Sequence, residues 1–468
     1  MRYVSSRGEA PTLDFEGVTL AGLASDGGLY VPETWPRWRA EEWRALGGLS
    51  YAETADRVIA PFVGDALSES ELGSLCEAAY GRFAHSAVTP LIQLDHRHWL
   101  LELFHGPTLA FKDLALQLLG PLFDHFLARR GRRLTVIGAT SGDTGPAAVE
   151  ALAGRENVEI FMLHPAGRTS DVQRRQMTTI LAPNVHNIAV EGDFDTAQRI
   201  VKRLFGDSDF AGRFDLGAVN SINWARIAAQ TVYYAWAALR LGAPERSVAF
   251  SVPTGNFGDV FAGYIAQRMG LPIARLVVAT NRNDILRRAL DRGDYSVGEL
   301  VPTAAPSMDI QVSSNFERLL FDMADRDAAA LRGMMERFER DGRLTIDEAM
   351  RARIGESFTA MRVGPDAMTM AMRRAAEDAG QLLDPHSAIG FAAACAVAGD
   401  LPAEIPIVTL ATAHPAKFRD AVERATGRRP RLPRRLSGLF EREERYETLP
   451  AEVEAVRDYI AGRATPKP

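Results

Sequence analysis

Lys112, inside LFHGPTLAFKDLALQLLG at residues 103–120, is the side chain whose setting most invites chemistry. The spacing predicts a helix from near Thr108. Leu109, Ala110, Phe111, Leu114, Ala115, Leu116, Leu118 and Leu119 are its apolar positions, and Asp113 and Gln117 stack on a separate polar face. Lys112 belongs to the apolar side, with Ala115, Leu116 and Leu119 three, four and seven residues on. An amine so placed either reaches water along an apolar stem, or sits desolvated with a lowered pKa and is free for Schiff-base chemistry. The residues alone leave both open. Gly120-Pro121 is expected to end or kink the helix about two turns further on, because proline lacks the N–H and clashes with the preceding turn.

Two glycine-rich loops could meet such an amine. GATSGDTG at 138–145 follows the strand-like LTVIG, with Thr144 placed as N-cap and Pro146 as first helical residue. PTGNFGD at 253–259 follows VAFSV and precedes DVFAGYIAQRMG, and Asn256 there can tolerate a left-handed backbone. Each loop reads as an ordinary βα turn or as an anion cradle at a helix N-terminus. Neither has the G-x-G-x-x-G or Walker A spacing. Together with Lys112 they suggest one ligand with two anionic groups, or two ligands side by side, next to an amine. NSINWARI at 220–227 adds Asn220, Ser221, Asn223 and Arg226 at the start of an apolar helix. Ser221 or Asn220 could cap that helix, with Arg226 on its surface, but an arginine in the first two turns opposes the helix dipole and hints at another role. TLATAHPAKF at 409–418 puts Thr412, His414 and Lys417 beyond a strand's carboxyl end.

The elements that position these residues alternate. Strands are expected at 134–139, 158–164, 185–190, 248–253 and 273–279, separated by helices at 146–154, 170–181, 195–205, 222–241 and 259–269. Such alternation argues for parallel sheets covered by helices, with ligands at the strands' carboxyl ends. Residues 1–90 read as a mixed N-terminal layer: strand-like pieces over 12–24, then helices at 40–46, 50–63 and 68–85. Residues 310–381 read as a helical elaboration without strands. A helix at 387–399 and a strand at 405–411 rejoin the sheet. In the tail, RRPRLPRR reads as a solvated surface loop ahead of a helix near 450–462. The expected division is therefore an N-terminal domain at 1–90, a small α/β domain at 131–224, and a large α/β domain formed by 91–130 and 225–468 with a helical insertion at 310–381.

Composition bounds the function. A net charge of −6 and 24% charged residues favour neither a nucleic-acid partner nor long disorder. Two cysteines cannot form a disulfide framework and fit a reducing compartment. No apolar leader and no membrane span are read, so a cytoplasmic protein is expected. The nine histidines show no metal-ligand spacing, so no metal is predicted.

Seven segments, in order, resemble the threonine synthases, pyridoxal-phosphate enzymes of the tryptophan-synthase-β (fold type II) group: RYVSSRG, FHGPTLAFKD, GATSGDTG, NSINWARI, PTGNFGD, DPHSAIG and TAHPAKF. The resemblance implies two doubly wound parallel-sheet domains with an N-terminal mixed α/β domain. It implies pyridoxal 5'-phosphate held by Lys112 as a Schiff base. Gly255, Asn256, Phe257, Gly258 and Asp259 would cradle the cofactor phosphate, and Thr412 would face the pyridine nitrogen. Ser141, Asp143 and Thr144 would lie near the substrate carboxylate, and Asn220, Ser221, Asn223 and Arg226 near the substrate phosphate. Asp143 stands where related fold members carry asparagine. SSRG and DPHSAIG have serine where the family's pattern frequently has threonine, and both keep a hydroxyl.

The implied activity is a carbon–oxygen lyase, the last step of threonine biosynthesis: O-phospho-L-homoserine and water become L-threonine and phosphate, with Lys112 moving protons. The implied enzyme is a monomer or weak homodimer. Three rivals share parts of this site. A phospholyase would release 2-oxobutyrate instead. A dehydratase or sulfhydrylase of the same fold would not need the Asn/Arg set at 220–226. A cofactor-binding protein without turnover would leave phosphohomoserine untouched.

Overall fold

The computed structural model describes residues 1–467, and its core is two sheets whose loops at the carboxyl ends of the strands meet at Lys417 and Asp143. The larger sheet has the order Phe358–Arg362, Ile273–Thr280, Val248–Pro253, Ile407–Ala411, His98–Glu102, Leu91–Gln93, parallel except for its last strand. The smaller has the order Glu447–Leu449, Val185–Val190, Val158–Pro165, Leu134–Ala139, Leu216–Gly217, parallel throughout. Central strands such as VAFSVP are buried at every position, as a sheet covered on both faces requires. Among the described residues no helix is long and apolar enough to cross a membrane.

The helix Lys112–Arg130 packs on the helices Thr144–Leu152, Trp224–Arg240, Glu69–Tyr80 and Phe15–Ala21. Every residue from Lys112 to Phe123 is buried, so Asp113 and Gln117 form no solvent face. The helix starts at Lys112, not near Thr108. Leu109 adopts φ +64°, and the Asp113 carboxylate accepts from both the Thr108 N–H (2.8 Å) and its hydroxyl (2.7 Å). Those bonds fold 106–111 into a loop that delivers the lysine at the first helical position. Pro121 does not end the helix, which continues to Arg130. One lost hydrogen bond is outweighed by burial on all sides. Gly120 marks the close approach: a Cβ there would lie 2.3 Å from the Ala151 carbonyl oxygen. Gly120→Ala is expected to destabilise the protein by about 1–3 kcal/mol net, despite alanine's helix-propensity advantage of about 1 kcal/mol. Urea unfolding measures this, and an unchanged midpoint would mean that the two helices separate without cost.

Other segments depart from the sequence reading. Residues 12–24 are not strand-like. Asp14 accepts from the Gly17 N–H (2.7 Å) and caps the helix Phe15–Ala21, whose Phe15, Val18 and Thr19 share a buried face. The helix expected over 68–85 stops at Tyr80. The 310–381 stretch contains two strands, Arg343–Thr345 and Phe358–Arg362, the second at the edge of the larger sheet. The tail, expected with the large domain, instead adds the strand Glu447–Leu449 beside Val185–Val190. It also seats Val456 and Ile460 against the smaller sheet's core.

Candidate active site

Lys112 sits where the two sheets' loops converge. Its side chain is 9% exposed, and its amine makes no hydrogen bond among the described residues. Burial holds its pKa below the usual lysine range. Asp143 opposes that shift, Lys417 and Arg226 reinforce it, and Asp113 opposes it. The positive end of the helix it begins works in the same direction as burial. The structure thus takes the second of the two options open to the sequence: a desolvated amine.

The 253–259 loop supplies the clearest anion cradle. The N–H groups of residues 255–259 reach no protein acceptor among the described residues, and they lie at the N-terminus of the buried helix Gly258–Arg268. Phe257, not Asn256, takes the left-handed conformation, at φ +63°. Its ring is held against Phe316 and Phe358, with centroids 5.3 and 5.6 Å away. Gly255 is required because a Cβ would come within 2.8 Å of the Ser307 carbonyl oxygen. The Asp259 side chain is not a phosphate ligand. Its Oδ1 accepts from the Tyr233 (2.6 Å) and Tyr234 (2.9 Å) hydroxyls, and Oδ2 has no partner.

The 138–145 turn offers a second donor set. Thr140 Oγ1 accepts from the Gly142 and Gly145 N–H groups, leaving those of Ser141, Asp143 and Thr144 without protein acceptors among the described residues. The helix begins at Thr144 rather than at Pro146. Asp143 holds the N-cap position but makes no capping bond with its side chain. That carboxylate accepts instead from Lys417 Nζ (2.8 Å) and Gln173 Nε2 (2.7 Å). Burial works to raise the Asp143 carboxyl, but Lys417, Lys112 and the Gln173 bond outweigh it and hold it far below the carboxylate range.

The third set is Arg226, buried rather than on the helix surface. Its Nη1 donates to the Asn220 carbonyl (2.6 Å), its Nε has no partner, and burial pushes its pKa down to about 10. Among the described residues no carboxylate pairs with it, which is the setting of an anion receptor rather than of a structural pair. Asn223, not Ser221 or Asn220, caps the helix Trp224–Arg240. Its other end donates to the Thr19 carbonyl (2.8 Å), so both ends of its carboxamide are occupied. Ser221 meets Ser314 (3.3 Å), and the Asn220 carboxamide oxygen accepts from the Ile222 N–H.

Thr412 closes the set. Its hydroxyl makes no protein hydrogen bond among the described residues, while its N–H donates to Ser387 Oγ (3.1 Å) and its carbonyl accepts from the Phe111 N–H (2.8 Å). The loop to Lys112 and the Thr412 loop are thus stitched together. In DPHSAIG, Asp384 accepts from the Ser387 hydroxyl and faces His386 Nδ1 (2.7 Å). His386 Nε2 accepts from the Ser307 N–H (3.2 Å), which assigns a neutral ring with the proton on Nδ1.

Several positioning residues escaped the sequence reading. Asn315 Nδ2 donates to both the Ser221 (3.1 Å) and Asn256 (3.0 Å) carbonyls, clamping two of the donor sets together. Fully buried Arg318 joins the same clamp to the N-terminal layer through the Tyr30 and Ile222 carbonyls. Ser313 Oγ holds the Gly255 carbonyl (2.7 Å). These residues lie in the segment read only as a helical elaboration. The arginine-rich tail is not merely solvated either. Arg435 donates to the His105 and Gly106 carbonyls and walls a cavity of about 380 Å³ with Phe104, Leu109 and His414.

Burial pushes the carboxyls of Asp113 and Asp259 up to about 6, against the lowering effect of their hydroxyl donors. A raised carboxyl binds its proton more tightly when folded. The stability this contributes is complete below the unfolded value near 4 and is lost as pH rises through about 6. In the cofactor-free protein, Asp259→Asn should remove its share, roughly 3 kcal/mol between those limits. Urea unfolding of both proteins across that range reads the difference, and parallel profiles would contradict the assignment.

The donor chemistry fits pyridoxal phosphate: five acceptor-free N–H groups for a phosphate ester, a desolvated amine for an aldehyde, and the Thr412 hydroxyl without a protein partner among the described residues. Family models agree over most of the chain. "Threonine synthase N terminus" matches residues 2–80, "Pyridoxal-phosphate dependent enzyme" residues 83–337, and "Threonine synthase, C-terminal" residues 387–460. A threonine synthase of Pseudomonas aeruginosa is 54% identical, covering 98% of both chains. The crystal structure of PLP-bound threonine synthase from Brucella melitensis superposes with a TM-score of 0.97 at 51% identity, covering 99% of both chains. That of threonine synthase from yeast gives 0.94 at 38% identity, covering 99% of this chain and 98% of the other. The chain belongs to the threonine synthase family of pyridoxal-phosphate-dependent enzymes.

Proposed function

We propose that the chain converts O-phospho-L-homoserine and water to L-threonine and phosphate, with Lys112 as cofactor anchor and proton carrier. The observation that carries this is the placement of three acceptor-free donor sets around one desolvated amine. The substrate presents a phosphate and a carboxylate, and the cofactor adds a second phosphate, so three anions need three separate receivers.

The N–H groups of residues 255–259 receive the cofactor phosphate, with Asp259 contributing its backbone and not its carboxylate. Thr412 offers the ring nitrogen a hydroxyl. Ser141, Asp143 and Thr144 receive the substrate carboxylate through their backbone. Asn220, Ser221 and Arg226 receive the substrate phosphate. Asn223 stands outside this set as the cap of Arg226's helix. Bound pyridoxal phosphate supplies an electron sink for the charge that develops at the substrate's Cα.

Burial favours the neutral Lys112 amine, which can therefore take the Cα proton and later return one. A proton then leaves Cβ, with Lys112 as the base at hand, and the electron pair it leaves behind expels phosphate as the Cγ–O bond breaks; the phosphate departs with a proton, and Arg226 stabilises the leaving dianion where its charge grows. Water then adds its oxygen to Cβ, and the proton inventory closes with a methyl group at Cγ. The buried walls keep other water from the cleft until that step. The same reading places the enzyme in the cytoplasm as a monomer or weak homodimer, with Cys76 and Cys395 as free thiols.

The test is product analysis after loading with pyridoxal phosphate. Equal amounts of threonine and phosphate from phosphohomoserine support the proposal. Phosphate with 2-oxobutyrate would overturn it in favour of a phospholyase.

A further inference from the structure

Lys417 has no place in the assignment above, yet its side chain is 0% exposed. A lysine is buried so completely only for a partner. Its Nζ lies 2.8 Å from Asp143 Oδ1 and donates to the Thr108 carbonyl at 2.7 Å, where Gln176 Nε2 also donates at 3.0 Å. Lys417 follows the strand Ile407–Ala411 of the larger sheet, and Asp143 follows Leu134–Ala139 of the smaller. Thr108 belongs to the loop that delivers Lys112. One ammonium therefore ties together both sheets' site loops and the approach to the reactive amine.

We propose that Lys417 is a positioning residue: it neutralises Asp143 so that the 138–145 turn can receive the substrate carboxylate, and it keeps Asp143 from pairing with Lys112.

The argument is electrostatic. The acceptor-free N–H groups of Ser141, Asp143 and Thr144 belong to a turn that carries a carboxylate of its own. Uncompensated, that carboxylate would repel the substrate's. The charged groups facing Lys112 are Asp143 and Lys417 from the two loops, Arg226 from the helix Trp224–Arg240, Asp113 from its own helix, and Asp259 from Gly258–Arg268. Without Lys417, the anion at Asp143 acts on Lys112 alone and favours the ammonium form. Without the Asp143 charge, Lys417 and Arg226 face only the weaker opposition of Asp113 and Asp259 and favour the free amine. The two single substitutions must therefore move Lys112 in opposite directions, and the double substitution must nearly restore it.

The inference rests on pyridoxal phosphate binding at Lys112. Loading of the wild type tests that reading by itself, and the variants test only the role of Lys417. Cofactor-free protein is mixed with pyridoxal phosphate across a pH series and trapped with borohydride, and the labelled Lys112 peptide is quantified by mass. Lys417→Met should move the midpoint of trapping up by about one pH unit and Asp143→Asn down by about one, with the double variant close to wild type. In turnover, Lys417→Met should raise KM for phosphohomoserine by about tenfold or more, with a smaller loss of kcat at its own optimum. Midpoints that stay put, or that move together in the two single variants, overturn the proposal. Should Lys417→Met fail to fold with a lone buried carboxylate, Asp143→Asn and the double variant decide: a downward shift that does not revert in the double variant overturns it.

Discussion

Lys112→Ala abolishes turnover, by about 10⁴-fold or more, and in the same step removes the visible absorption of cofactor bound through a Schiff base. Both losses come from one amine, because anchor and base are the same atom. The fold should survive. The amine holds no protein hydrogen bond, alanine is a good first-turn residue, and the substitution takes a cation away from a helix N-terminus and out of a buried site. The expected stability change is therefore small, within about 1 kcal/mol. Absorbance spectra, thermal unfolding by circular dichroism and a phosphate-release assay on one preparation check all three. A variant that kept the visible band would place the Schiff base on another lysine. The buried ammonium of Lys417 would then be the first suspect.

Arg226→Met should cost about 3–5 kcal/mol in kcat/KM for phosphohomoserine, roughly 10²–10³-fold or more. It should leave cofactor loading intact and the folded state no less stable. The reasoning is the missing counter-ion. The guanidinium is buried with only the Asn220 carbonyl as acceptor, so its desolvation is uncompensated until an anion arrives. Methionine fills similar space without that penalty. Arg226→Lys should recover part of the activity, since it keeps the charge but not the planar fork. Arg318 is the natural control. It is equally buried, but it is spent on the Tyr30 and Ile222 carbonyls and on Asn315, so Arg318→Met should lower the melting temperature instead. Steady-state kinetics beside melting curves separate the two arginines. An Arg226→Met enzyme with normal kcat/KM would mean that the substrate phosphate binds elsewhere.

What the sequence made legible was local. GATSGDTG and PTGNFGD announce their turns because glycine and the strand before it constrain the backbone within a few residues. Lys112 and Thr412 follow from position, one beside an apolar helix and one beyond a strand. The misreadings share one cause, which is competition from a distant or unexpected partner. Asp113 reads as the polar face of a helix, but it turns back to hold Thr108, and that shifts the helix start by four positions. Asn223 reads as a substrate ligand, but Thr19, some two hundred residues earlier in the chain, occupies it. Asp259 reads as part of a phosphate loop, and its N–H has no protein acceptor among the described residues, while its carboxylate belongs to Tyr233 and Tyr234.

The positioning residues were hidden for the same reason. Asn315 clamps Ser221 and Asn256 from within a stretch whose own periodicity signals only helices. Lys417 stands with Thr412 beyond a strand's carboxyl end in the sequence, but its partner Asp143 lies more than half the chain length away, and no local pattern marks a lysine that will be wholly buried. Burial and pairing across the two sheets are tertiary properties, and they are what turn a list of loops into a site.

Turnover of O-phospho-L-homoserine in ¹⁸O-labelled water tests the central claim most directly. The mechanism breaks the Cγ–O bond and adds water's oxygen at Cβ. It therefore predicts threonine carrying one heavy oxygen in its hydroxyl and phosphate carrying none from solvent. Heavy oxygen in the phosphate with homoserine as co-product would show simple phosphate-ester hydrolysis, and the account of Lys112 and its three anion receivers would be wrong.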